Sequence, residues 1–351
     1  MTKMLEQLPE GLLDLPAHQL HTRIDDHTLI HLDGKIQRPV FVSILQHGDE
    51  HTGWDALRDY LKNHLQHGLT RSLIILFGNI QAAALNRRKL PGQPDFNRRW
   101  PGKRIPDDAI ARRLRVITDK MRQANLFASV DIHNNSGRNP HYSGINRLEK
   151  PFLNLASLFS SRMIHFTSPD GIQSSAFSRF CPAITVESGL SGTADGREQT
   201  HTFLELLLTQ TNLEKVPGIL EHPEIYRVFA SVKVRPDVPF RIGTGPSTDS
   251  DEFVIKKDLD FLNFQRVEGG QVFGWTKGPM PLLVEDQEGC DITCGWFAIE
   301  QDRVLLKHPA VPAMITQKPQ AIMDDSLCYL MQPVQPPAMT RTVKNTTEES
   351  A

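Results

Sequence analysis

The sequence feature that most constrains the fold is a series of short, continuous apolar runs separated by segments of helical periodicity. The runs cover residues 39–45, 72–77, 126–132 and 183–187. Strands that are apolar at successive positions are typical of a sheet that is covered on both faces by helices. The first two hundred residues are therefore predicted to form an α/β domain.

The segments between these runs carry the helical signal. In the first of them Trp54, Leu57, Leu61 and Leu65 recur at the spacing of one helix face, and Thr52 is a candidate N-cap. The predicted helices cover residues 53–66, 107–124 and 198–213.

The hydrophobic pattern of the sequence changes at about residue 222. Residues 225–234 alternate between apolar and polar positions, and short β-like pieces separated by Gly, Pro and Asp follow. We predict an α/β domain over residues 1–215, a smaller β-rich domain over 216–333, and a disordered Pro-rich tail over 334–351.

Composition narrows the class of protein. A formal net charge of −2 gives no general attraction to nucleic acid or to an anionic membrane. No run approaches 18 apolar residues, and the acidic, Pro-containing start does not resemble a signal peptide. Four cysteines in 351 residues do not make a disulfide scaffold. These features predict a cytoplasmic protein that binds neither nucleic acid nor membrane.

Polar side chains cluster at or near the ends of the predicted strands. The four segments are residues 47–50, 95–98, 131–133 and 187–189. In α/β sheets the ligand site lies beyond the carboxyl ends of the strands. Each segment alone is a weak signal, but together they supply the three N/O ligands and the nearby carboxylate that a catalytic zinc site requires.

The stretch SILQHGDEHTG, residues 43–53, allows two interpretations of its acidic residue. An H-x-x-E-H motif would make His47 and His51 metal ligands and Glu50 a general base. That motif needs the two histidines one above the other on a helix face, whereas Gly48 follows directly on a strand. A paired His47/Glu50 ligand set in a loop suits this position better.

Five motifs in order resemble a known family. They are H-x-x-E after a strand, N-x8-R, D-x-N-R, D-x-H and a strand-end E-x-G, over roughly residues 38–200. This pattern is similar to that of the succinylglutamate desuccinylase/aspartoacylase family. The resemblance implies a zinc-carboxypeptidase-like, M14-type α/β fold: a mixed sheet flanked by helices, with a smaller β-rich C-terminal domain.

The resemblance also implies a metal centre. His47, Glu50 and His133 match the three ligands of one Zn²⁺ per chain. Glu187 matches the glutamate that acts as general base towards water activated by the metal, and Arg88 matches the arginine that polarises the scissile carbonyl.

Three further residues match positions around the substrate. Asn97 and Arg98 correspond to the pair that binds a substrate carboxylate, and Asp95 to the acid that orients the first histidine ligand. The chain departs from the family pattern in the stretch KLPGQP before Asp95 and at Ser188, and Arg87 could replace its neighbour Arg88.

The resulting expectation is a zinc-dependent hydrolase that deacylates an N-acyl amino acid or a similar small amide bearing a carboxylate. A metallocarboxypeptidase acting on peptide C-termini is the alternative within the same class. A non-catalytic binding protein that keeps the zinc fold is the alternative outside it. A homo-oligomer is compatible with the sequence, which does not determine the oligomeric state.

Overall fold

The computed structural model describes residues 4–167, 171–216, 223–246 and 252–334, and all structural statements concern these ranges. Their strands are β1 (Met4–Leu5), β2 (Thr28–Leu32), β3 (Gly34–Ile44), β4 (Leu69–Phe77), β5 (Ala128–Asn135), β6 (Tyr142–Ile145), β7 (Arg162–His165), β8 (Ala183–Leu190), β9 (Glu224–Val234), β10 (Phe240–Gly243), β11 (Phe253–Lys256), β12 (Val272–Trp275), β13 (Leu282–Asp286), β14 (Phe297–Glu300), β15 (Arg303–Leu306), β16 (Val311–Ala313) and β17 (Cys328–Val334). Their α-helices are α1 (Thr52–His64), α2 (Ile80–Ala84), α3 (Ala109–Gln123), α4 (Lys150–Ser157), α5 (Gln173–Phe177), α6 (Ala194–Thr209), α7 (Thr293–Trp296) and α8 (Pro319–Asp324).

The strands form two sheets. Twelve belong to a large mixed sheet in the order β1-β2-β4-β3-β5-β8-β6-β7-β9-β17-β16, with β13 also paired to β9. Its four central strands, β4-β3-β5-β8, are parallel to one another. β2 runs antiparallel to β4, and β6 runs antiparallel to β8. A five-stranded sheet, β10-β11-β12-β15-β14, lies within the C-terminal part. The predicted mixed α/β fold with a β-rich C-terminal region is confirmed.

Helices cover both faces of the central strands, as the apolar runs predict. Val40, Val42 and Ile44 of β3 pack into the same cluster as residues of α1 and α6. Phe41, which points to the opposite face, packs with residues of α3 and α5. Because successive side chains of a strand alternate between faces, both sets are apolar only where both faces are covered.

The ends of the three predicted helices differ from those in the structure by one to four residues. Thr52 is the first residue of α1, and His51 takes the N-cap position without a side-chain hydrogen bond. The helix predicted over residues 198–213 is α6, which runs from Ala194 to Thr209. It begins earlier because Asp195 is favourable in the first turn, and it ends where Gln210 turns to an extended conformation.

The large sheet continues past residue 215. Strands β9, β13, β16 and β17 all lie in the C-terminal part of the chain and belong to it. The domain boundaries at residues 215 and 333 stay predictions. Of the predicted tail, residues 335–351 lie outside the described residues. Among the described helices, none combines the length and the apolar character needed to cross a membrane.

Candidate active site

The central parallel strands bring the predicted motifs to one place. His47 follows the end of β3, His133 lies near the end of β5, and Glu187 lies in β8. His133 and Glu187 are direct register partners across β5 and β8. The three segments therefore converge at the carboxyl ends of adjacent strands, where α/β sheets place their ligand sites.

His47, Glu50 and His133 form a buried cluster that could hold a metal ion. Their ligand atoms all lie within 4.8 Å of one another, and each residue is less than a tenth exposed. Glu50 Oε1 lies 2.7 Å from His47 Nδ1, and Glu50 Oε2 lies 2.7 Å from His133 Nδ1. Two imidazoles and one carboxylate are a donor set that zinc accepts.

The outer nitrogens of both rings contact aspartates. His47 Nε2 lies 3.1 Å from Asp95 Oδ1, and His133 Nε2 lies 2.8 Å from Asp131 Oδ2. A ring that donates its Nε2–H to a carboxylate presents an Nδ1 lone pair to Glu50, which is favourable only with a cation or a proton between them. Histidine ligands of metals are oriented in this way, so the residues fit a bound metal.

Asp131 is a site residue to which the sequence analysis gave no role. It is fully buried and also accepts hydrogen bonds from Ser43 Oγ at 2.6 Å and Gln46 Nε2 at 2.8 Å. The signal was the D-x-H spacing within a strand, which places Asp131 and His133 on the same face.

Arg88 lines the cavity, whereas Arg87 is exposed. Arg88 Nη2 lies 2.8 Å from Asp95 Oδ2, and Nη1 lies 3.6 Å from Glu50 Oε1. Burial opposes the charge of the guanidinium, but Asp95 and Glu50 outweigh it and raise the pKa of Arg88. Burial likewise disfavours the Asp95 carboxylate, yet His47 and then Arg88 hold its pKa well below the usual value. Arg88 is therefore a fixed cation beside the metal-binding cluster.

Asn97 and Arg98 differ in how much of each side chain is already bound by the protein itself. Asn97 Nδ2 lies 3.1 Å from Asp131 Oδ2, and Asn97 Oδ1 accepts the Gln173 N–H at 3.0 Å, so its amide is engaged by the protein. Arg98 lines the cavity, and its Nη2 lies 3.5 Å from Oδ2 of Asp325, whose side chain is 45% exposed. Arg98 is thus the freer of the two for a substrate carboxylate.

Glu187 lies in the cavity wall, and the pKa of its carboxyl is raised. Burial raises its pKa to about 7, although His133 acts in the opposite direction. A carboxylate that titrates near neutral pH is suited to take up and return a proton.

The other histidines near the motifs do not belong to the metal-binding cluster. His51 pairs with Asp55 at 2.8 Å and, like His141 and His165, does not line the cavity. Asn134 and Asn135 both lie in β5 and line the cavity.

The cavity has a volume of about 150 Å³ and opens to solvent. Its wall includes residues of the C-terminal part that no motif indicated: Met314, Thr316, Ala321, Asp324, Asp325, Ser326 and Tyr329. The sequence held no signal for them, because they reach the site only through long-range contacts.

Comparison with known proteins decides the family. The model of the succinylglutamate desuccinylase/aspartoacylase catalytic domain matches residues 38–208. Residues 38–208 therefore form a succinylglutamate desuccinylase/aspartoacylase catalytic domain. Members of this family are hydrolytic deacylases, so the chain carries the catalytic domain of a hydrolase family. A search of curated protein sequences returned no match.

Solved structures share the fold of the family across most of the chain. Succinylglutamate desuccinylase from Vibrio parahaemolyticus is 16% identical with a TM-score of 0.57, over 86% of this chain and 83% of that one. Murine aminoacylase 3 is 16% identical with a TM-score of 0.56, over 88% and 99%. The ectoine utilization protein EutE (DoeB) from Ruegeria pomeroyi is 14% identical with a TM-score of 0.58, over 88% of each chain. At such identities the likeness concerns the fold alone.

Proposed function

We propose that the protein is a zinc-dependent amidohydrolase that removes the acyl group from an N-acyl amino acid or a similar small amide bearing a carboxylate. The observation that carries this proposal is the buried His47–Glu50–His133 cluster with the Glu187 carboxyl in the same cavity. The family match to a deacylase catalytic domain supports it.

His47, Glu50 and His133 would hold one zinc ion per chain. A bound zinc supplies a Lewis acid and makes water a usable nucleophile near neutral pH. Asp95 and Asp131 keep both rings turned towards Glu50, which fixes the ligand geometry before the metal binds.

The other groups have complementary roles in the proposed reaction. Glu187 takes the proton of the attacking water and delivers it to the departing amine. Arg88 stabilises the negative charge that develops on the scissile carbonyl oxygen. Arg98 holds the substrate carboxylate, which displaces the weakly held Asp325.

The experiment is a substrate panel of N-succinylglutamate, N-acetylaspartate and peptides of increasing length, measured before and after chelation and with zinc restored. We expect turnover of an N-acyl amino acid that chelation abolishes and zinc restores. Turnover that rises with peptide length would instead support the metallocarboxypeptidase alternative. Zinc binding without turnover of any amide would support a non-catalytic binding protein. The cytoplasmic location and the oligomeric state stay predictions.

A further inference from the structure

Three buried hydrogen-bond donors line the cavity without a partner. Within the described residues, Asn135 Nδ2, Asn139 Nδ2 and the Tyr142 hydroxyl all lack an acceptor. They lie at the end of β5, in the following loop and at the start of β6. Buried polar groups are nearly always paired in native proteins, and an unpaired donor in a binding cavity is satisfied when a ligand brings the acceptor.

The orientation of these donors is fixed by their surroundings. Asn139 Oδ1 accepts the Met314 N–H at 2.9 Å, which leaves the amide nitrogen as the free end. Tyr142 is fully buried, and its ring centroid lies 5.0 Å from that of Phe264. Asn135 is only 7% exposed. The donors therefore have little freedom to find partners elsewhere.

The loop that carries them is held against the C-terminal part of the chain. Thr316 Oγ1 donates to the Ser136 carbonyl at 3.1 Å. A Cβ on Gly137 would lie 1.9 Å from the Ile315 carbonyl oxygen, so the two backbones touch there. A loop fixed in this way presents its donors in advance of binding, which lowers the entropic cost of recognition.

The charges around Tyr142 indicate which kind of acceptor fits. Burial raises the pKa of Tyr142 well above its usual value, and the groups that add to this shift are Glu187, Tyr329 and Glu50. The three donors are themselves uncharged, and the two arginines that line the same cavity, Arg88 and Arg98, contact Asp95 and Asp325. A carboxylate placed against the three donors would lose its hydration without gaining a cationic partner, whereas a neutral oxygen loses less.

We propose that Asn135, Asn139 and Tyr142 form a subsite for an uncharged oxygen acceptor of the substrate, other than the scissile carbonyl. The chemical class is an amide, carbonyl or hydroxyl oxygen. It can belong to the acyl group or to the amino-acid side chain. This inference rests on the proposed deacylase function and names the substrate class of the same site.

The test compares four substrates in the wild type and in Tyr142→Phe and Asn135→Leu. N-acetylnorvaline lacks a further acceptor, N-acetylglutamine carries one on the side chain, and N-glycolylnorvaline carries one on the acyl group. N-acetylglutamate carries a charged acceptor. We expect the wild type to prefer one of the two neutral-acceptor substrates over N-acetylnorvaline, and each variant to raise KM for that substrate by about three- to tenfold. The KM for N-acetylnorvaline should change by less than about twofold.

Two controls separate binding from folding. Tyr60→Phe removes the hydroxyl of another buried tyrosine, which stacks on His64 and does not line the cavity, and should leave every KM unchanged. Ligand-free Tyr142→Phe should melt at the wild-type temperature or above, because it removes a hydroxyl without a partner.

Several results would overturn the inference. In the wild type, a preference for N-acetylglutamate, or no preference among the four substrates, would do so. In the variants, an unchanged preference in both, or an equal rise of KM for all four substrates, would do so. A melting temperature of Tyr142→Phe below that of the wild type would also contradict it. If the wild type with zinc hydrolyses no N-acyl amino acid, the proposed function itself fails, and the inference fails with it. The two failures are therefore distinguishable.

Discussion

Two aspartates set the direction of both histidine rings in the metal-binding cluster. Asp95 was expected from the family pattern, whereas the role of Asp131 emerged only from the contact between its Oδ2 and His133 Nε2. Once this segment is known to be a strand, the D-x-H spacing places the Asp131 and His133 side chains on the same face of it. Sequence motifs thus predicted which residues would meet, and the structure added how each ring is held.

Asp131→Asn should weaken metal binding by about 10- to 100-fold, because the amide accepts the His133 N–H less well and no longer raises the basicity of the ring. Competition with a chromogenic chelator measures this affinity. Asp119→Asn, an exposed change on α3, is the matched control and should bind metal as the wild type does. Equal affinities for the two variants would show that Asp131 does not support the ligand.

The pH dependence of the protein's stability should reveal the raised pKa of the Glu187 carboxyl. Burial raises its pKa from 4.5 to about 7, so between these values the folded chain holds a proton that the unfolded chain has released. Stability is therefore lost as pH rises through this window. In chelator-treated protein, the melting temperature of Glu187→Gln minus that of the wild type should grow from pH 4.5 to 7 and then level off. A difference that stays constant with pH would contradict the raised pKa.

At the scale of elements, the turn from β3 into α1 brings two of the predicted ligands together. Gly48 lies in this turn, and its N–H donates to the Arg88 carbonyl at 3.2 Å. A Cβ there would lie 2.2 Å from the Ala83 nitrogen and 2.7 Å from the Arg87 carbonyl oxygen. Only glycine lets the turn approach the segment that also carries Arg88.

Gly48→Ala should therefore displace this turn, lower the free energy of unfolding by about 1–3 kcal/mol and reduce the bound metal per chain. Urea unfolding and metal analysis measure the two effects. Gly245→Ala, where an added Cβ meets nothing within 4 Å, should change neither. Wild-type metal content in Gly48→Ala would show that the close approach is not needed for the site.

The apolar runs predicted the strands at the centre of the sheet, because complete burial demands apolar residues at every position. The alternating pattern of residues 225–234 likewise predicted β9, but β2 and β6 were not recognised. β2 contains the partly exposed His31, and β6 has only four residues, among them Ser143 and Gly144. Such segments are strands because of their neighbours in the sheet, and propensity alone does not reveal them.

At the scale of the whole molecule, the site is completed by a part of the chain far away in sequence. Asp325 and Tyr329 line the cavity together with Arg98, and the loop after β5 touches the backbone of Ile315. The motifs end near residue 200, so the sequence predicted the metal cluster but not the wall that faces it.

We propose that Glu187 transfers the proton in a metal-dependent deacylation. The most direct measurement is the turnover of an N-acyl amino acid by Glu187→Gln at the same bound-metal content as the wild type. We expect kcat to fall by at least about 100-fold while the metal is retained. Full turnover at equal metal content would contradict it.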